Sequence, residues 1–361
     1  MLFGWGDGSY GQLGSGEEGA SQPVPLRLPP AAVGGQEAVV LVACGERHTL
    51  LLFADGSLAS CGDNAQGQLG RKLPAGRQRC YLPEPIQALE AQTIVYISCG
   101  KEHSLAISSQ GKVFSWGAGG FGQLGTGKLK DSSTPKKIDA LSKYNVIQVA
   151  CGHYHSIVLT KDGRVFSWGQ NSHGQLGLGK ELPSQATPCN ISSLAGIPLA
   201  QVAAGGAHTF VLSLSGVVYG WGKNNAHQLG LDQETSKEQI FKPYSVGALR
   251  NLNVTYISCG DEHTAVLTKS GNVFTFGDDS AGQLGHNSSK IGPQKIDEID
   301  GPVSHVSCGS YHTLCVSASG QLWSFGRGLP QHTESSASES RQEERRCIDL
   351  NALLAPNGTF F

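Results

Sequence analysis

Histidine and cysteine are the residue types here best suited to chemistry. Six of the 12 histidines stand in a Gly-x-x-His step, at His48, His103, His155, His208, His263 and His312, spaced 49 to 55 residues apart. Imidazoles bind metals and carry protons, so a zinc site is the first chemistry to weigh. Three or four ligands must converge on one ion, and one histidine in each copy of a long unit disperses them instead. Each is therefore expected to hydrogen-bond backbone within its own copy, with no metal and no catalytic role. His153, His173, His227 and His286 fall on loops and are expected at the surface, unassigned. Ten cysteines are the second candidate; Cys44, Cys99, Cys151, Cys259 and Cys308 recur at one position of five copies, and none of the ten forms a Cys-x-x-Cys pair. That pattern points to small buried thiols in a reducing compartment rather than disulfides. The sequons at Asn190, Asn253, Asn287 and Asn357 then carry no meaning. Gly6-x-Gly8-x-x-Gly11 and Gly117-x-Gly119-x-x-Gly122 match a dinucleotide fingerprint, but neither opens a helix, so no cofactor is expected.

What positions these residues is a repeat. Eight residues after each of the six histidines comes a glycine, and six further on comes the glycine of a Cys61-Gly62, Trp116-Gly117, Trp168-Gly169, Trp221-Gly222, Phe276-Gly277 or Phe325-Gly326 pair. Nineteen residues after the first five histidines a Gly-Gln-Leu-Gly box begins, at Gly67, Gly122, Gly174 and Gly282, altered to His227-Gln228-Leu229-Gly230 in the fourth. Length varies only between one box and the next copy, where loops accept insertion. The most variable of these stretches are Arg71 to Pro85, Gly127 to Lys143, Gly179 to Pro198 and Leu231 to Asn253. Lys128, Lys130, Lys136 and Lys137 make the second locally basic, against Asp131 and Asp139.

Each copy reads as strands. VVLVACG, HTLLLFADG and SLASCG are short apolar runs, and Asp55-Gly56 and Asp162-Gly163 suit hairpin turns. A small sheet cannot bury both faces alone, so the copies must pack on one another, which predicts an all-β, seven-bladed β-propeller of roughly 50-residue repeats. Trp116, Trp168, Trp221 and Phe276 are expected as packing between blades. The propeller is expected over residues 1–328, with a partial blade at 1–30 (Trp5-Gly6 and the box Gly11-Gln12-Leu13-Gly14) and repeats at about 39–326. One blade is thus incomplete. Residues 329–361, a Ser-, Glu- and Arg-rich stretch including Cys347, are expected as a disordered or unassigned tail.

Composition narrows the function. Twenty-seven Lys plus Arg against 29 Asp plus Glu leave a formal charge of −2, which argues against nucleic acid or an anionic membrane as partner. No apolar span suits a bilayer crossing and the N-terminus lacks a signal-peptide pattern, so a cytosolic chain, with the nucleus as a second location, is expected, as a monomer.

The unit A/S-C-G-x-x-H-S/T, then x-G-x-V-F-S-W-G, then N-S-x-G-Q-L-G resembles the regulator-of-chromosome-condensation propeller repeat over residues 1 to about 328. Asn171 to Pro188, Ile197 to Gly216 and Val254 to Gly277 are similar to the amino-terminal propeller of the small HERC ubiquitin ligases, the interferon-induced members above all. In that family the propeller precedes a HECT domain whose cysteine carries ubiquitin or a ubiquitin-like modifier. The resemblance implies a protein-recognition arm for ligase substrates, in innate immunity, truncated before the HECT domain and without its own thioester cysteine. The alternative it implies is nucleotide exchange on a small GTPase, the activity of the repeat's namesake. The copies here leave no obvious room for that protein's projecting wedge.

Overall fold

Short apolar runs closed by glycine turns fold throughout as antiparallel hairpins. The computed structural model describes residues 2–19, 22–28, 38–179, 182–232, 237–327 and 345–349. Strands β1 (Phe3–Gly6) and β2 (Gln22–Arg27) form a two-stranded sheet. Six four-stranded sheets follow, each a meander. The first is β3 (Val39–Cys44), β4 (His48–Phe53), β5 (Leu58–Asp63) and β6 (Arg79–Pro85); the second is β7 (Ile94–Cys99), β8 (His103–Ser108), β9 (Val113–Gly117) and β10 (Ser132–Lys137). The third runs β11 (Val146–Cys151), β12 (His155–Thr160), β13 (Val165–Gly169) and β14 (Gln185–Asn190). The fourth is β15 (Leu199–Ala204), β16 (His208–Ser213), β17 (Val218–Lys223) and β18 (Gln239–Ser245). The fifth is β19 (Val254–Cys259), β20 (His263–Thr268), β21 (Val273–Gly277) and β22 (Gln294–Lys295), and the sixth β23 (Val303–Cys308), β24 (His312–Ser317), β25 (Gln321–Gly326) and β26 (Arg345–Asp349).

The molecule has two compact units, one holding β1–β14 and the other β15–β26 together with the loop His173–Glu181. Within each, neighbouring sheets share an apolar seam. In the first unit Leu50, Leu52 and Leu58 pack with Ile94, Ile97 and Trp116. In the second, Phe210 and Leu212 meet Val254, Ile257 and Phe276. The strand that opens on the repeat histidine is buried along its whole length in β4, β8, β12, β16 and β20, as a strand covered on both faces should be.

Three expectations are corrected here. Among the described residues six four-stranded blades are present rather than seven, the first copy contributing only the pair β1–β2. Each stretch read as a variable loop contains the blade's outer strand, β6, β10, β14 or β18. Those strands pair on one side only, so they tolerate proline (Pro83, Pro135, Pro188, Pro243) and polar residues, and an apolar alternation never develops. Finally, residues 345–349, within the stretch to which the sequence assigned no structure, form β26 on β25 in regular antiparallel register. The rest of 329–361 lies outside the described residues.

A candidate partner-binding surface beside a buried polar relay

The repeat histidines are spent on structure, but not as the sequence predicts. His48 Nε2 stands 2.9 Å from Ser104 Oγ, His103 Nε2 3.0 Å from Ser156 Oγ, His208 Nε2 3.0 Å from Thr264 Oγ1 and His263 Nε2 2.9 Å from Thr313 Oγ1. Every partner is a hydroxyl on the following sheet, not backbone of the same copy. Each hydroxyl donates its single proton to the main-chain carbonyl of a box glutamine: Ser104 to Gln68, Ser156 to Gln123, Thr264 to Gln228 and Thr313 to Gln283. It must then accept from the ring, which fixes a neutral imidazole protonated on Nε2.

Burial enforces that neutral state. Desolvation pulls His48 and His263 down to about 4 and His103 and His155 to about 3. The Nδ1 of His103 is buried with no hydrogen-bond partner among the described residues. His312, half-buried, is lowered for the same first reason. The Gly-x-x-His spacing follows from contact: a Cβ on Gly100 would stand 2.1 Å from His103 Cε1 and 2.5 Å from Gly152 O, so only glycine fits.

The same glutamine carbonyls accept the indoles. Trp116 Nε1 reaches Gln68 O at 2.9 Å, Trp168 Nε1 Gln123 O at 2.8 Å and Trp221 Nε1 Gln175 O at 2.9 Å. Phe276, without an N–H, keeps only the packing, with its ring against Gly230. Among the described residues no three His, Cys, Asp or Glu side chains group as a metal site requires. The described cysteines are free: of the five at the repeated position only Cys151 is buried, while Cys99, Cys259 and Cys308 are half-buried and Cys44 is exposed, against expectation; Cys61, Cys80 and Cys315 are buried too. Burial pushes the Cys151 thiol up to about 12 and Cys308 to about 11, the opposite of an activated nucleophile.

The two residues preceding each histidine differ from copy to copy: Glu46-Arg47, Lys101-Glu102, His153-Tyr154, Gly206-Ala207, Asp261-Glu262 and Ser310-Tyr311. Main-chain bonds tie these connections together within each unit. Glu46 N donates to Lys101 O at 3.1 Å and Lys101 N to His153 O at 3.2 Å in the first, and Asp261 N to Ser310 O at 3.2 Å in the second. In two copies the residue just before the box joins the same surface. Tyr10 meets Arg47, with the guanidinium carbon 4.4 Å from the ring centroid, and Phe121 meets Tyr154 with centroids 4.9 Å apart. Lys101 bridges the two groups, 3.7 Å from Glu46 and 5.8 Å from the Tyr154 ring. Glu102 is raised by burial first and then by Glu46. The second unit carries Lys223 paired with Glu262 and Arg327 over Tyr311 at 5.6 Å.

His153 and His173, expected at the surface, are half-buried, as are His227 and His286. His153 packs edge-on to Tyr154, and His173 is lowered by burial and then by Lys223. The sequence reading missed Tyr10, Arg47, Phe121 and Tyr154. The signal that could have found them is departure from the repeat at equivalent positions.

Blades of this kind, with the polar relay recurring at His48, His103, His208 and His263, define an RCC1-type β-propeller. The chain belongs to the RCC1-like domain family, whose profile matches residues 1–353. It is 62% identical over 265 residues to the human probable E3 ubiquitin-protein ligase HERC6, covering 73% of this chain and 26% of that protein. To human HERC3, also a probable E3 ubiquitin-protein ligase, it is 49% identical over 302 residues, covering 82% and 28%. The chain thus spans little more than a quarter of those relatives. Among solved structures, human WBSCR16 matches with a TM-score of 0.77 and 28% identity, covering 91% of this chain and 89% of that one. Prp20p from Saccharomyces cerevisiae, described with its binding to Gsp1p and histones, matches at 0.76 and 26%, covering 90% and 80%.

Proposed function

We propose that this chain is a protein-recognition module, the substrate- or partner-binding arm of a HERC-type ubiquitin or ubiquitin-like ligase acting in the cytosol. The observation that carries the reading is the continuous surface of Tyr10, Arg47, Lys101, Phe121 and Tyr154. Arg47 and Phe121 are exposed and Tyr10 and Tyr154 half-buried beside them; tyrosine and arginine carry much of the binding energy at protein interfaces, where phenylalanine too is enriched. Phe121 remains 40% exposed although an aromatic partner is at hand. Binding, not transfer, is the chain's own part in this reading, which the thiols of Cys61, Cys99, Cys151, Cys259, Cys308 and Cys315, raised by burial away from thiolate, support.

Affinity capture with the chain and with a Phe121→Ala/Tyr154→Ala variant tests the proposal. A defined set of partners captured by the first and lost by the second is expected; identical sets would overturn it. No thioester is expected on the chain when it is mixed with a charged ubiquitin-conjugating enzyme. The second reading, nucleotide exchange on a small GTPase, draws on the likeness to Prp20p and predicts accelerated nucleotide release from such a protein.

A further inference from the structure

Arg47 and Arg79 differ from the other well-placed cations of this chain. Their guanidinium carbons lie 4.4 Å and 4.3 Å from the centroid of one ring, Tyr10. Both cations therefore engage the same phenol ring. Stacking engages the flat face of a guanidinium and leaves its five N–H donors pointing outward in the plane. Arg79 uses one donor on Ser9 O at 3.3 Å. Among the described residues neither arginine has a carboxylate within 4.0 Å, whereas Arg71, Lys101, Arg164, Lys223 and Lys295 each have one. Both side chains are exposed.

The three residues are held in place by backbone. Tyr10 N donates to Gln12 Oε1 at 2.9 Å, and a Cβ on the next residue, Gly11, would stand 2.4 Å from Cys80 O, so the tyrosine is pressed against the start of β6. Arg47 O accepts from Asp63 N at 2.8 Å. The stretch leading to Arg79 is fixed by Asn64, whose N–H donates to Gln78 O at 2.7 Å and whose Nδ2 donates to Arg71 O at 3.1 Å. That stretch, residues 71–79, carries Arg71, Lys72, Arg77 and Arg79 and no acid. Of the acids close by, Glu46 faces Lys101, the Glu102 carboxyl is raised by burial first and then by Glu46 while Lys101 and Arg47 lower it, and Asp63, the register partner of Arg79, is buried with its Oδ1 accepting from Ala65 N.

We infer that Tyr10, Arg47 and Arg79 form a docking site for an acidic segment of a partner protein, each guanidinium edge taking one side-chain carboxylate in a forked pair. This deepens the recognition reading given above and rests on it. Pre-stacked guanidinium groups lose little freedom on binding, and forked arginine–carboxylate pairs are both stronger and more directional than simple ion pairs. A polyphosphate strand is the less suitable occupant. The net charge of −2 and the neighbouring Glu46 and Glu102 oppose a backbone carrying a charge at every step, but not two carboxylates on one edge of an extended chain.

Fluorescence anisotropy on the full chain at low ionic strength tests this with three probes of equal length: a labelled peptide alternating glutamate and serine, its glutamine counterpart, and a single-stranded oligonucleotide. The glutamate peptide is expected to bind saturably, with the glutamine peptide about tenfold weaker or more. Arg47→Ala/Arg79→Ala should lose about tenfold at an unchanged melting temperature, and Tyr10→Ala severalfold, with Tyr10→Phe retaining binding. Equal binding of the two peptides, an unaffected double variant, or preference for the oligonucleotide would overturn the inference. If the glutamate peptide fails while the chain still captures partners through Phe121 and Tyr154, the acidic class falls and the module reading stands.

Discussion

Arg47 and His48 are neighbours in the chain, as are Tyr154 and His155, yet each pair divides between two regions with opposite rules. The histidines are fully buried in a relay that repeats from sheet to sheet, whereas Arg47 is exposed, Tyr154 is half-buried, and the position they share holds Arg, Glu, Tyr or Ala in different copies. In the relay one donor, one hydroxyl and one carbonyl must match, so each copy has nearly the same residues. On the surface no such closure applies and the copies diverge. Periodicity in this fold therefore marks what holds the blades together, and departures from it mark where a partner can be recognised.

The sharpest way to break that comparison is to remove the relay's largest member. Trp168 is fully buried and donates to Gln123 O. Trp168→Ala is expected to cost about 3–5 kcal/mol, read by denaturant unfolding, and Trp168→Phe only about 1–2, the lost hydrogen bond and a little packing. A cost for Trp168→Ala below about 1 kcal/mol would mean that the blades do not depend on the relay. His103→Ala, which removes the ring donor to the Ser156 hydroxyl and opens a small cavity, is expected to cost about 2–3 kcal/mol.

Acid sharpens the contrast without mutation. His48, His103, His155 and His263 are held at about 3 to 4 when folded, below the 6.5 of an unperturbed imidazole. Unfolding therefore takes up protons below that pH, so the stability these groups contribute is complete above about 6.5 and is lost as pH falls towards 4. The melting temperature should fall by several degrees between pH 7 and pH 5, beyond what carboxylates explain, and His103→Gln should weaken the dependence; a flat profile would contradict the buried neutral relay. At the small end, Phe121→Ala and Arg47→Ala should move stability by no more than about 0.5 kcal/mol, as exposed substitutions do, while partner binding falls.

How much of this was legible in the sequence follows the same division. The strands, the turns and the identity of the packing positions were readable because His103, Gln123 and Trp168 recur at fixed offsets. The bonding pattern was not, because a spacing of one histidine per copy does not say which sheet holds the acceptor. The outer strands β6, β10, β14 and β18 escaped notice since an edge strand with proline lacks an apolar alternation, and β26 pairs from a stretch with no repeat signature at all. The blade count was overestimated because the first copy's pair was taken as part of a seventh. Tyr10, Arg47 and Arg79 lie far apart in sequence and form no motif; only folding brings them onto one ring.

The most direct test compares the adjacent variants Arg47→Glu and His48→Ala, each measured for melting temperature and for capture of a partner bound by the unmodified chain. The account predicts that Arg47→Glu keeps its melting temperature and loses capture, while His48→Ala loses several degrees and, at a temperature where it is still folded, captures normally. Destabilisation by Arg47→Glu equal to that of His48→Ala, or capture untouched by the charge reversal, would contradict it.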